Sequence, residues 1–209
     1  MDLYYAPLAC SMATRIALYE AGGVASFIEV EGKTKRLPDG GDFRDVNPLG
    51  QVPVIRTDEG PLLTENSAIL QYVARRHPEA KLLGREDELP WLQQWVSFVS
   101  TEVHKGVFTP LFDSSSSADA KEAALRRAAS RFDVLERHLT GREYLLDSFT
   151  IADAYLATVL NWCRAVSLDL SRWPALAAYF TRMRAHPSVA RAMQEEGALY
   201  AAEQARQAA

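Results

Sequence analysis

This 209-residue chain has only two cysteines, Cys10 and Cys163, far apart and without metal-spaced neighbours. That excludes a disulfide framework and a cysteine-built metal centre, and no metal is expected. No uninterrupted apolar stretch approaches the roughly 18 residues a membrane helix needs. Basic charge is not in excess: 23 Lys and Arg stand against 27 Asp and Glu, a net charge of −4. A phosphate-tracking nucleic-acid binder would need a concentrated basic face. Residues 1–80 carry 8 basic and 11 acidic side chains and the remainder 15 and 16, so neither half has a charged tail suited to a polyanion or a membrane. No repeat of 20–50 residues is present. The N-terminus lacks a basic n-region, and the apolar stretch before Leu8-Ala9-Cys10 is far too short for a lipoprotein signal. Isolated thiols suit a reducing compartment, so a cytoplasmic location is expected, without nucleic-acid or membrane partners.

What is present is 48% hydrophobic residues, enough for a real core, in a length that allows one large domain or two small ones. The two halves read differently. Asp2-Leu3-Tyr4-Tyr5 is a first strand, a helix runs from Ser11 to Ala21 up to Gly22-Gly23, and Phe27-Ile28-Glu29-Val30 is a second strand. Strand, helix, strand at this spacing implies a parallel pair with a right-handed crossover. Residues 31–45 read as loop with a short helix. Val52 to Ile55 and Pro61 to Thr64 are two strands joined at Asp58-Glu59-Gly60, and a helix from Asn66 to Arg76 follows, ended by His77-Pro78.

From Glu88 onward the pattern is helical. Trp91, Trp95, Val99 and Val103 recur every four residues on one face, while Ser97, Thr101 and His104 form a polar stripe. Helices are expected over 123–139, 151–166, 175–185 and 189–194, with a weakly anchored tail from Gly197 and a mobile loop at 113–117. Thr150-Ile151-Ala152-Asp153 fits a capping box. The expected organisation is an α/β domain over 1–77, a linker over 78–88 and an all-helical domain over 89–209.

Three segments can carry chemistry. In Asn47-Pro48-Leu49-Gly50-Gln51-Val52-Pro53, proline must open a strand or sit at an unpaired edge, and it is a candidate for a cis peptide. The run is either a rigid turn or a place where Val52 pairs its backbone with an extended ligand. In Leu63-Thr64-Glu65-Asn66-Ser67, a strand enters a helix whose first turn exposes N–H groups. This is an ordinary cap, or a site holding both charged ends of an α-amino acid, the amine on Glu65. Cys10-Ser11 lies where strand becomes helix, a position that stabilises a thiolate, and no second cysteine three residues on supports a dithiol mechanism. Cys163 reads as a packing residue.

These pieces, in this order and spacing, resemble the cytosolic glutathione transferases, and most of all the bacterial beta class. The likeness covers nearly the whole chain, including Tyr5, Lys33-Lys35-Arg36, Thr101-Glu102-Val103-His104-Lys105-Gly106 and Phe149-Thr150-Ile151-Ala152-Asp153-Ala154-Tyr155. It implies a thioredoxin-like first domain (β-α-β-α-β-β-α) and an all-α second domain. By resemblance, glutathione is the co-substrate. Gln51 and Val52, with Pro53 cis, would bind its cysteinyl part, and Glu65 and Asn66 its γ-glutamyl end. Lys35 would meet the glycine carboxylate, Tyr5 would line the site, Cys10 and Ser11 would lie at the sulfur, and His104 and Lys105 would approach from the helical domain. The family commonly has serine where Asn66 stands. The expected activity is conjugation of glutathione to small hydrophobic electrophiles, held against Trp91, Phe108, Phe112 and Trp162, by a homodimer. The alternatives are thiol–disulfide exchange or peroxide reduction through Cys10, and a non-catalytic binding protein on the same fold.

Overall fold

The computed structural model describes residues 1–208; residue 209, the last of the expected second domain, lies outside the described residues. The chain forms two units, residues 1–80 together with the segment from Pro187 onward, and Lys81–His186.

The first unit is built on four strands, β1 (Asp2–Tyr5), β2 (Ser26–Glu29), β3 (Val54–Arg56) and β4 (Leu62–Leu63), in the order β2-β1-β3-β4. The β1–β2 pair is parallel and is bridged by α1 (Met12–Glu20), whereas β3 and β4 run antiparallel to their neighbours. A 3₁₀ turn at Phe43–Asp45 precedes β3, and α2 (Asn66–Arg76) follows β4. This is the thioredoxin-like order expected, with the second helix reduced to that turn. Strand alternation sorts the core. Tyr4 and Val54 pair in register and pack with Val30 and Phe43 on one face. Leu3, Ile55 and Tyr5 point to the other, where Tyr5 meets Phe27 and the Arg15 side chain of α1. The third strand opens at Val54 rather than Val52, because Pro53 has no N–H to add to the ladder.

The last helix, α8 (Pro187–Ala208), packs on α1. Its grouping with the sheet differs from the expected assignment of everything beyond residue 89 to the helical domain. Nor does it fray at Gly197, since Glu196 and Glu203 are buried and bonded to loops of the first unit.

The second unit is helical throughout its described residues. One long helix comprises α3 (Leu89–Phe98), a π-helical stretch (Val99–Phe108) and α4 (Thr109–Phe112). The wider π turn brings Gly106 against Thr101, where a Cβ would sit 3.0 Å from the Thr101 carbonyl oxygen. Trp95, Val99 and Val103 are buried, but Trp91 is 58% exposed. A four-residue spacing drifts about 40° per step on a helix of 3.6 residues per turn, so Trp91 falls off the face its partners share. Ser97 and Thr101 face solvent, whereas His104 is half-buried.

Helix α5 (Ala118–Leu139) starts earlier than expected, capped by the Ser117 hydroxyl, which accepts from Ala120 N–H. In the loop before it, the Asp113 carboxylate accepts from the N–H and hydroxyl of Ser115. Helix α6 (Ile151–Leu160) is buried along its whole length and carries the expected capping box. A 3₁₀ stretch at Asn161–Val166 continues it, and α7 (Pro174–Ala185) completes the unit. Among the described residues, no helix is long and apolar enough to cross a membrane.

Candidate active site

The loop between β1 and α1 carries Cys10. It is bent at Leu8, whose φ of 59° lies in the left-handed region. Three hydrogen bonds hold the bend. The Ser11 hydroxyl donates to Ala6 C=O (3.2 Å) and accepts from Ala6 N–H (3.3 Å). The Glu196 carboxylate of α8 accepts from Leu8 N–H at 2.7 Å. Ser11 is fully buried, and its hydroxyl proton is committed to Ala6, because a buried hydroxyl without an acceptor is costly. Ser11 therefore shapes the loop instead of presenting a donor, contrary to the sequence-based expectation. Cys10 is half-buried, and its S–H donates to Val52 C=O at 3.2 Å.

Val52 precedes a cis peptide bond to the buried Pro53. The turn leading to it is built by Asn47, whose amide donates to Gln51 C=O (2.8 Å) and accepts from Leu49 N–H (3.2 Å). Asn47 belongs to the Asn47–Pro53 run, but nothing in its local sequence marks it as the residue that builds the turn. The Gln51 side chain is exposed. Gly50 sits at a φ of 60°, and a Cβ there would be 3.7 Å from Lys35 Cγ and Cε, so the Lys35 stem lies alongside this run.

At the start of α2, Glu65 has a φ of 67°, a sparsely populated conformation worth about 1–3 kcal/mol of strain in a non-glycine residue. Its carbonyl accepts from Ala68 and Ile69 N–H, and its side chain faces solvent. Asn66 is buried. One amide atom meets the Thr14 hydroxyl of α1 at 3.2 Å, and the other has no hydrogen-bond partner. Whichever way the amide is turned, one polar atom is satisfied by Thr14 and the other is without a hydrogen-bond partner. Tyr5 is not brought to this group. It lies on the opposite sheet face from Val52, beneath the Arg15 guanidinium at 4.4 Å, and burial raises its hydroxyl pKa.

In the second unit, His104 Nδ1 lies 2.8 Å from the Tyr155 hydroxyl, and its ring is 5.0 Å from Trp162. Phe108 and Phe112 close on the same indole at 5.4 and 5.7 Å. Burial, helped by the Lys105 charge, pushes His104 down to about 4, so the ring is neutral at pH 7. The bond to Tyr155 engages Nδ1, and the imidazole tautomer sets which of the two partners donates in it. Tyr155 closes the Phe149–Tyr155 motif, but only the contact with His104 gives it this part. Lys105 is exposed, and Trp91 belongs to a separate cavity of about 410 Å³ with Trp95, His138 and Arg142. Since the unfolded chain protonates His104 near 6.5, its contribution to stability is complete above that pH and declines as pH falls toward 4, by up to about 3 kcal/mol. The loss of thermal midpoint between pH 7 and 4.5 is expected to be smaller in His104→Asn; equal losses would contradict a buried neutral imidazole.

Comparison with known proteins decides the family. Residues 9–76 match the glutathione S-transferase N-terminal domain and residues 98–187 its C-terminal domain. The chain is 38% identical over 200 residues to the glutathione S-transferase GstA of Escherichia coli O157:H7, covering 94% of this chain and 99% of that one. The chain belongs to the glutathione S-transferase family. Among solved structures it is similar to the beta-class glutathione S-transferase of Sphingomonas chungbukensis (TM-score 0.89, 40% identity, 94% of this chain and 99% of that one). It is equally similar to a sphingomonad glutathione S-transferase solved with glutathione (TM-score 0.89, 38% identity, the same coverage). Glutathione transfer is thus its activity class, and its likeness is to the beta class. The thioredoxin-like first unit and helical second unit agree with that membership.

Proposed function

We propose that this glutathione transferase binds glutathione in extended form along Val52 and conjugates its sulfur to small hydrophobic electrophiles. The observation that carries the assignment is the buried Asn66 amide with one polar atom unanswered. It stands beside Glu65 at a helix start, where N–H groups favour a carboxylate. In this reading Glu65 and Asn66 take the γ-glutamyl end, Val52 with Gln51 and cis Pro53 the cysteinyl part, and Lys35 the glycine carboxylate. A relative of this similarity was solved with glutathione, which supports the choice of tripeptide. The reactive species is the thiolate. Its sulfur lone pair forms the new C–S bond while the electrophile's leaving group departs with the bonding electrons. By the family resemblance alone His104, a neutral imidazole, is assigned to the catalytic set, and within the second unit the Phe108, Phe112 and Trp162 cluster offers an apolar surface of the kind such an electrophile needs. A homodimer is proposed on the family resemblance. Titration calorimetry with glutathione tests the reading; no binding at millimolar ligand would return it to a non-catalytic protein on this fold.

Cys10 has a second reading, favoured by its place where β1 gives way to α1, a position that stabilises a thiolate. A second thiolate beside the ligand sulfur would be repelled, and the S–H bond to Val52 C=O keeps Cys10 a thiol while glutathione is bound. For exchange Cys10 gives up that bond and its proton goes to solvent; the thiolate attacks a disulfide sulfur, forming one S–S bond as another breaks and releasing a thiolate that takes up a proton. Cys10→Ala is expected to abolish reduction of mixed disulfides while leaving conjugation of an aryl halide within a few-fold of the parent. Loss of both activities would place Cys10 in support of the bound thiolate instead.

A further inference from the structure

The last turns of α8 reach a loop that the mechanism uses only through Lys35. Residues 31–36 form a tight loop, in which Glu31 N–H donates to Arg36 C=O and Lys35 N–H to Glu31 C=O, each at 3.0 Å. Lys35 itself has a φ of 63°, and Phe43 N–H closes on its carbonyl at 2.8 Å. The loop is anchored from outside by Glu203, which is buried and accepts from Gly32 N–H at 3.1 Å. One turn further along α8, Arg206 pairs with Glu29 at the end of β2 at 3.1 Å. Beside these contacts lies open space rather than packing: a cleft of about 550 Å³ with Leu37, Pro38 and Arg36 on its wall. Residues 31–36 are exposed or half-buried, and the loop is held by its own backbone bonds, by Leu37 packed on the core next to it and by the Glu203 contact.

We infer that Glu203 is a positioning residue for the end of glutathione that bears the glycine carboxylate: by holding Gly32 it sets where the left-handed Lys35 presents its ammonium group. This rests on the assignment of Lys35 to that carboxylate. Without the acceptor, Gly32 N–H turns to water and the loop samples other positions, so the Lys35 contact is formed at additional entropic cost. A contact to the glycine end acts on binding and leaves the sulfur chemistry untouched.

The test compares two thiol substrates in the full-length protein, glutathione and γ-glutamylcysteine, which lacks the glycine. Glu203→Ala is expected to raise the KM for glutathione about 3- to 10-fold, the equivalent of one hydrogen bond, with kcat unchanged. The KM for γ-glutamylcysteine is expected to stay constant. Glu203→Gln keeps an acceptor oxygen and should restore the parent value, and Glu203→Asp, one methylene too short, should behave as alanine if the alanine variant unfolds. An unchanged KM for glutathione, or an equal rise for both substrates, overturns the inference. Lys35→Ala separates the two levels: if it too fails to discriminate between the substrates, the Lys35 assignment falls and takes the inference with it. If Lys35→Ala discriminates and Glu203→Ala does not, only the role of Glu203 is lost.

Discussion

Glu196→Ala is expected to destabilise the protein by about 3 kcal/mol, because it strips the buried Arg15 of its nearer carboxylate at 2.8 Å and leaves only Glu195 at 3.4 Å. Arg15 and Glu196 are both almost wholly buried, with Nε and Oε1 at 2.8 Å. The N–H is not aligned on that oxygen, and Arg15 Nε and Nη2 have no hydrogen-bond partner, so the attraction is chiefly coulombic. The guanidinium is also sandwiched by rings, 3.9 Å from Phe27 and 4.4 Å from Tyr5, which hold it in place when the carboxylate is gone. Burial pushes the Glu196 carboxyl up to about 7 against the opposing pull of Arg15 and Leu8 N–H. The unfolded chain releases that proton near 4.5, so this group's share of stability is greatest below that pH and declines as pH rises through 7. Glu196→Gln keeps an acceptor for Leu8 and is expected to cost less than alanine. Adding Arg15→Met to Glu196→Ala should recover much of the loss, since no orphaned charge is left. Urea midpoints of the parent, Glu196→Ala, Arg15→Met and the double variant measure this directly; additive single effects would mean that the two side chains do not depend on one another. Because Glu196 also holds the Leu8 bend, its loss should reach the Cys10 loop.

A loss of similar size, about 3–5 kcal/mol, is expected for Asp153→Ala, for a different reason. Asp153 is fully buried in α6, and its carboxylate accepts four hydrogen bonds: Leu145 N–H and Thr150 N–H at 2.9 Å, with the Thr150 and Tyr179 hydroxyls at 3.0 Å. It joins the capping box of α6 to the loop before it and to α7. Alanine leaves two backbone donors and two hydroxyls with no acceptor, each worth about 1–3 kcal/mol when buried, although the Thr150 hydroxyl can rotate to another partner. Thr150→Ala, which removes the cap to Ala152 N–H and one of the four donors to Asp153, is expected to cost about 0.5–2 kcal/mol. Asp153→Asn retains one acceptor and should fall between the two. If Asp153→Ala cost no more than Thr150→Ala in urea unfolding, the carboxylate would be a helix cap and nothing more.

The short-range parts of this protein were legible in its residues. The β-α-β order, the bounds of α2 at Asn66 and Arg76, the cis bond before Pro53 and the Thr150–Asp153 box each depend on neighbours a few positions apart. Caps, glycine stops and strand alternation act at that range. The family resemblance proposed the site's residues; the Lys35 stem lies beside Gly50, and Asn66 opens α2.

What only tertiary structure decided are the partnerships that span the chain or turn on small angular differences. A glutamate at position 196 has no local reason to belong to a loop at position 8, yet α8 closes on α1 because both present buried faces. The environments of Ser11 and Tyr5 were likewise set by tertiary contacts: the Ser11 hydroxyl bonds to Ala6, and strand alternation carries the Tyr5 ring beneath Arg15. Trp91 left its expected face because a four-residue spacing is not the helix period, and the π-helical turn beyond it resets which side chains face inward. The charge state of His104 follows from desolvation, which depends on everything packed around a group and has no counterpart in linear spacing.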